Sequence, residues 1–84
     1  MVEAVVKSKH GLHARPASAI VSAAAKFDGD IFIIKDGSRY NAKSIMNILG
    51  MGLLYGEKVQ IEALGNDADK AEAEIKGIIE SIEE

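Results

Sequence analysis

The chain has no cysteine and no tryptophan, and aromatic residues make up only 5% of it. Without thiols there are neither disulfides nor thiolate metal ligands, so core burial alone must supply the stability. With 48% of residues apolar, that core is built mostly from Ala, Ile, Val and Leu. No apolar run approaches the roughly 20 residues of a membrane span. The opening Met1-Val2-Glu3-Ala4-Val5-Val6-Lys7 is too short and too polar for a signal peptide. A formal net charge of −3 gives no whole-domain attraction to nucleic acid or to an anionic membrane. A Gly-rich phosphate loop of the P-loop kind is also missing, so nothing in the chain is suited to bind a nucleoside triphosphate by itself. These exclusions lead to one soluble cytoplasmic domain over residues 1–84, long enough for a real core and expected to need no cofactor.

What is present concentrates in Gly11-Leu12-His13-Ala14-Arg15-Pro16-Ala17. The single proline is suited to the first position of a helix, where its missing N–H has no intrahelical partner to lose. Residues Ala17 to Phe27 carry a helical apolar pattern, with Ile20, Val21, Ala24 and Phe27 at spacings of three and four. His13 and Arg15 therefore fall at a helix start, where unpaired N–H groups and the positive end of the dipole attract anions, phosphate above all. A neutral histidine there is also a nucleophile. Taken singly, His13 reads as an exposed loop histidine and Arg15 as a solvated charge. Their spacing around Pro16 reads instead as a histidine that takes up a phosphoryl group. Its oxygens would accept from backbone N–H groups near Ala17 and Ser18, and the Arg15 guanidinium would add a planar fork of donors.

The rest of the chain supplies the frame. Val2 to Lys7 reads as a strand and Pro16 to Phe27 as a helix that Asp28-Gly29-Asp30 ends. Ile31 to Lys35 is a buried strand. Asp36-Gly37 is a hairpin turn pair, with a return strand from Arg39 to Ala42. Ser44 caps a short helix through Leu49. Lys58 to Leu64 alternates as a half-buried strand, with Val59, Ile61 and Ala63 on one face. Asn66 caps a last helix through about Ile82, its stripe formed by Ala68, Ala71, Ile75, Ile78, Ile79 and Ile82. Four strands and three amphipathic helices make an α+β fold, simplest as one antiparallel sheet with the helices on one face. These residues leave the strand order open.

Two segments together, Gly11 to Ala17 and Asn41-Ala42-Lys43-Ser44-Ile45-Met46, resemble the HPr family. These are the histidine-containing phosphocarrier proteins of the bacterial sugar phosphotransferase system. The resemblance covers essentially the whole chain. It implies an open-faced β-sandwich with a four-stranded antiparallel sheet in the order 1-4-2-3 and three helices on one face. It also implies that His13 accepts a phosphoryl group on Nδ1 from phosphorylated Enzyme I, with Arg15 as electrostatic partner, and passes it to EIIA domains during sugar uptake. Ser44 matches the serine that an ATP-dependent kinase, HPr kinase/phosphorylase, modifies in many relatives. There the product acts as corepressor with a catabolite-control transcription regulator. A purely regulatory protein acting through Ser44 is one alternative, though such relatives lack the histidine. A carrier for a non-sugar branch with the same chemistry is another. A small carrier that meets large partners in turn is expected to be a monomer.

A phosphate on Ser44 would sit favourably at a helix start, although capping alone also explains a serine there. Ile45, Met46, Leu49 and Met51 are expected to form an exposed docking patch, since Met-rich surfaces adapt to several partners, while Ile48 points inward. Two departures from the family pattern stand out. His10 occupies a place where relatives more often carry Asn or Ser. Its ordinary reading is a surface loop histidine, and with His13 it makes too few ligands for a metal site. Asn47 stands where glycine is frequent and Gly50 where serine is frequent, both beside Ser44.

Overall fold

The computed structural model describes residues 1–82. In chain order the elements are β1 (Val2–Val5), α1 (Ala14–Ala24), β2 (Ile31–Lys35), β3 (Ser38–Asn41), α2 (Ile45–Gly50), β4 (Lys58–Ala63) and α3 (Ala68–Ile79). The strands form one sheet in the order β1-β4-β2-β3, and every neighbouring pair is antiparallel.

The period-two pattern of the strands decides which face is covered. On β4, Val59, Ile61 and Ala63 are buried, while Lys58 and Gln60 face solvent. Ile61 lies opposite Val2 on one side and Ile33 on the other, so one face collects Ala4, Ile31, Ile33, Val59, Ile61 and Ala63. Helical residues Ile20, Ala24, Ile48, Ile75 and Ile79 close over that face and are fully or almost fully buried. Each such isoleucine contributes about 1.5–3 kcal/mol. That burial, rather than intrinsic propensity, holds helices of 6 to 12 residues, which are marginal in water alone. The opposite face is open. There the Arg39 guanidinium lies 4.0 Å above the Phe32 ring centre and bonds the Glu62 carboxylate over 3.0 Å.

The expected hairpin forms as read. Lys35 pairs with Ser38 across Asp36 and Gly37, whose φ angles of 51° and 81° are the two positive values a primed turn requires. Ser44 is the N-cap of α2, with its side chain accepting from the Asn47 amide.

Several boundaries differ from the sequence reading. β1 ends at Val5, β3 runs from Ser38 to Asn41, and β4 stops at Ala63. α1 begins at Ala14, not Pro16, and ends at Ala24. Beyond it only turn bonds run from Lys26 to the Ala23 carbonyl and from Phe27 to that of Ala24. Pro16 sits at the third helical position, which is equally permissive because N–H groups throughout the first turn lack intrahelical acceptors. At α3 the N-cap is Asp67, not Asn66; it is left-handed at φ 39° and its side chain caps nothing. That helix ends at Ile79, leaving Ile82 past it and 72% exposed. Among the described residues no helix is long and apolar enough to cross a membrane.

Candidate functional site

Buried anchors bracket the loop that leads into α1. Ser8 is buried, and its carbonyl accepts from the Gly11 amide over 3.0 Å. Ser8, Lys9, His10 and Gly11 thus make a four-residue turn. The amide of Leu12, which is itself buried, then donates to the Leu53 carbonyl over 2.9 Å. Gly11 is required here twice over. Its φ is 71°, and a Cβ at this position would collide with the backbone of Leu53 and Leu54. These fixed points carry the chain into His13.

His13 is the N-cap of α1, extended at φ −84° and ψ −169°, and its side chain makes no capping hydrogen bond. The first intrahelical bond runs from the Ala17 amide to the His13 carbonyl over 3.0 Å. This corrects one expectation. The Ala17 N–H is committed within the helix and Ala17 is fully buried, while Ser18 lies one residue deeper along α1. The amides without an intrahelical acceptor are those of Ala14 and Arg15, because Pro16 has none to offer. His13 is half-buried and Arg15 exposed. Among the described residues the Arg15 guanidinium has no carboxylate partner. A side-chain anion on His13 would therefore meet two open amides, a positive helix end and an uncommitted fork of donors.

His10, read ordinarily as a surface loop histidine, lies beside His13, the one placement in which it could touch a phosphate on that ring. Its ring stands edge-to-face with that of His13, with centres 5.9 Å apart and planes at 85°. Among the described residues no cluster of three or more His, Cys, Asp or Glu side chains is placed to hold a metal ion.

α2 packs against α1 and carries the second candidate site at its own start, where Lys43 Nζ reaches the Phe27 carbonyl past the far end of α1 over 2.6 Å. The Ser44 oxygen accepts from both the Asn47 amide (3.2 Å) and its side-chain Nδ2 (3.1 Å), while Asn47 Oδ1 accepts from the Asn41 amide over 3.3 Å. Asn47 is thus the residue that clasps the serine.

The docking patch divides differently from the expectation. Met46 is 75% exposed and Leu49 40% exposed, but Met51 is only 6% exposed and belongs to the core. Ile45 is half-buried and packs against that core. Met51 turns inward because it closes α2: its amide donates back to the Ile48 carbonyl over 3.2 Å, which brings it beside fully buried Ile48. In compensation, Leu54 and Tyr55 are 65% and 64% exposed on the loop that adjoins Gly11. The signal for them was an apolar pair inside a stretch punctuated by Gly52 and Gly56. That loop is held from β2, where Lys35 Nζ donates to Glu57 Oε2 over 3.2 Å. The Leu54 amide donates to the same oxygen over 3.0 Å. The Leu54 amide and then the Lys35 ammonium hold the Glu57 carboxyl below the usual carboxylate range.

A family profile described as the PTS HPr component phosphorylation site matches residues 2–81. The chain belongs to the HPr family. It is 47% identical over 73 residues to the phosphocarrier protein HPr of Mycoplasma capricolum, covering 87% of this chain and 82% of that one. It is also 41% identical over 75 residues to the HPr-like protein Crh of Halalkalibacterium halodurans, covering 89% of each. The crystal structure of HPr-C-His from Thermoanaerobacter tengcongensis superimposes with a TM-score of 0.88 at 42% identity, over 95% of this chain and 90% of that one. The sheet order and three helices implied by the resemblance are those of this family. Its members similar to this chain include both phosphocarrier and Crh-type relatives.

Proposed function

We propose that the chain carries a phosphoryl group on His13, taking it from phosphorylated Enzyme I and giving it to EIIA domains during sugar uptake. The observation that supports this most is the uncapped start of α1. His13 stands at the N-cap without a capping bond, and the amides of Ala14 and Arg15 have no acceptor within the helix. A phosphoryl group on the ring supplies the oxygens that a Ser or Asp cap normally would. In the transfer, a neutral imidazole nitrogen attacks the donor phosphorus, the new N–P bond forms and the bond to the donor breaks. The reverse event at the acceptor returns the ring to its neutral state. Holding must remain moderate, because a carrier that stabilises the bound group too far slows its release.

Arg15 orients and partly neutralises the oxygens in this reading. Met46 and Leu49, joined by Leu54 and Tyr55, form the partner surface beside them. The chain acts as a single-domain monomer in the cytoplasm. The test is incubation with Enzyme I and labelled phosphoenolpyruvate. Acid-labile, base-stable label that His13→Ala abolishes supports the assignment, and label retained in that variant removes it.

A second reading concerns Ser44, favoured by its position as N-cap of α2 beside exposed Met46. Phosphorylation there by an ATP-dependent HPr kinase/phosphorylase would place a dianion in the partner surface and produce a form that binds a catabolite-control transcription regulator. Acid-stable label from ATP and an active kinase, lost in Ser44→Ala, is the expected result. No label with an active kinase excludes this branch.

A further inference from the structure

We propose that His10 is a second imidazole of the phosphoryl site: its protonated ring donates a hydrogen bond to an oxygen of the group on His13 and slows its loss to water. The inference rests on His13 being the phosphorylated residue. Three observations carry it.

The first is distance and orientation. The two rings are 5.9 Å apart, centre to centre, and nearly perpendicular. Both nitrogens of an imidazole lie on its edge. A phosphoryl group on a His13 nitrogen adds oxygens beside a second imidazole at this separation, within reach of its N–H edge once the His10 ring rotates about its side-chain bonds.

The second is fixation. His10 occupies the turn closed by the Gly11 amide on the Ser8 carbonyl, and its own amide donates to the buried Ser8 side chain over 3.4 Å. With Leu12 bonded to Leu53, the backbone on both sides of His10 is tied down. Its ring is therefore presented to His13 by a rigid turn rather than by a loose loop.

The third is charge. The titratable groups on the elements at this corner are Lys7 and Lys9 in the same loop, Arg15 on α1, and Tyr55 and Glu57 ahead of β4. Glu57 is already engaged with Lys35 and the Leu54 amide. Glu80, at the end of α3, accepts from the Val5 amide over 3.0 Å and also faces Lys7. Both carboxylates are thus engaged by these donors, and Lys7, Lys9 and Arg15 bring positive charge to the loop and helix start that carry His10 and His13. A dianionic phosphoryl group fits that charge, and an imidazole beside it is a donor that pH can switch, since imidazoles in general change charge between about pH 5 and 8. Phosphoryl loss passes through a loose transition state, so a donor that holds the oxygens of the bound group stabilises the starting state and lengthens its life.

The test needs no partner protein. Phosphoramidate phosphorylates the protein directly: an imidazole nitrogen bonds to phosphorus, the phosphorus–amine bond breaks and ammonia leaves. After removal of the reagent, phosphorus NMR follows hydrolysis, in which water attacks phosphorus, the N–P bond breaks and phosphate departs. The full chain is compared with His10→Ala and His10→Asn at about pH 6 and about pH 8.5. His10→Ala is expected to lose the group roughly tenfold faster or more than the unaltered chain at the lower pH, the worth of one charge-assisted hydrogen bond. The two should agree within about twofold at the higher pH. His10→Asn, which keeps a donor at both pH values, should show a lifetime ratio to His10→Ala that does not change with pH. Equal lifetimes for the unaltered chain and His10→Ala at both pH values overturn the inference while leaving His13 as the carrier. Equal labelling of a His13→Ala control overturns the carrier assignment itself, and this inference with it.

Discussion

The Ala17 amide donates to the His13 carbonyl over 3.0 Å. The first bond of α1 therefore closes on the residue whose ring is assigned the phosphoryl group. The backbone of His13 is fixed by the helix while its side chain is left outside, and Arg15 lies two residues into the same turn. Replacing Arg15 with Ala is expected to slow transfer from phosphorylated Enzyme I by about tenfold or more, since a charge-assisted bond is worth about 1.5–3 kcal/mol. Arg15→Lys should recover part of that, because a lysine keeps the charge and loses the fork. Quench-flow transfer rates decide the matter, and unchanged rates in Arg15→Ala would remove the arginine from the site.

Gly11 is where the fold constrains the site most tightly. A side chain there meets both an unfavourable φ and the backbone of Leu53 and Leu54. Gly11→Ala should lower stability by about 2 kcal/mol or more. It should also disturb the His10–His13 pair, because the turn and the Leu53 contact move together. Denaturant unfolding gives the first result and the line positions of the two imidazoles give the second. A variant as stable as the unaltered chain would show that the loop is not held as described.

Met46 and Met51 separate docking from packing. Met51→Ala opens space in the core and should cost about 2–4 kcal/mol. Met46→Ala, on an exposed face, should stay within about 0.5 kcal/mol yet weaken association with Enzyme I. Thermal unfolding together with titration calorimetry distinguishes them. Comparable stability losses in both variants would contradict the division.

Glu57 and Glu80 set an acid limit. The Leu54 amide and the Lys35 ammonium lower Glu57 from an ordinary 4.5. The Val5 amide, Lys76 and Lys7 do the same for Glu80, and for each residue partial desolvation opposes the shift. A carboxyl depressed in the folded state adds stability above its unfolded value, and that stability disappears as pH falls through the folded value. The unaltered chain should therefore lose thermal stability between about pH 5 and pH 3 more steeply than the Glu57→Gln, Glu80→Gln double variant. Parallel melting curves across that window would show that neither carboxylate contributes.

Much of this arrangement was legible in the sequence because it follows from local rules. Asp36-Gly37 permits the primed turn, Val59 to Ala63 alternates, and Ser44 caps α2. The start of α1 was less legible. A proline fits any position of the first turn, so Pro16 could not say that the helix begins at Ala14. That two-residue difference moved the open amides from Ala17 and Ser18 to Ala14 and Arg15. Met51 was misread for a related reason, since the way a chain leaves a short helix decides whether its last apolar residue turns in or out. The left-handed Asp67 displaced Asn66 as N-cap without any compositional sign. The pairing of His10 with His13 depends on a turn closed by Ser8 and packed on Leu53, a contact between distant parts of the chain that spacing alone does not report.

The most direct measurement is the location of the phosphoryl group. After reaction with phosphorylated Enzyme I, the intact chain is fragmented under neutral to mildly alkaline conditions, which preserve phosphohistidine, and the modified residue is identified by mass spectrometry. The expected result is modification of His13 alone, and its disappearance when an EIIA domain is added. Modification of His10 or Ser44 in its place, or none at all with active Enzyme I, would contradict the account.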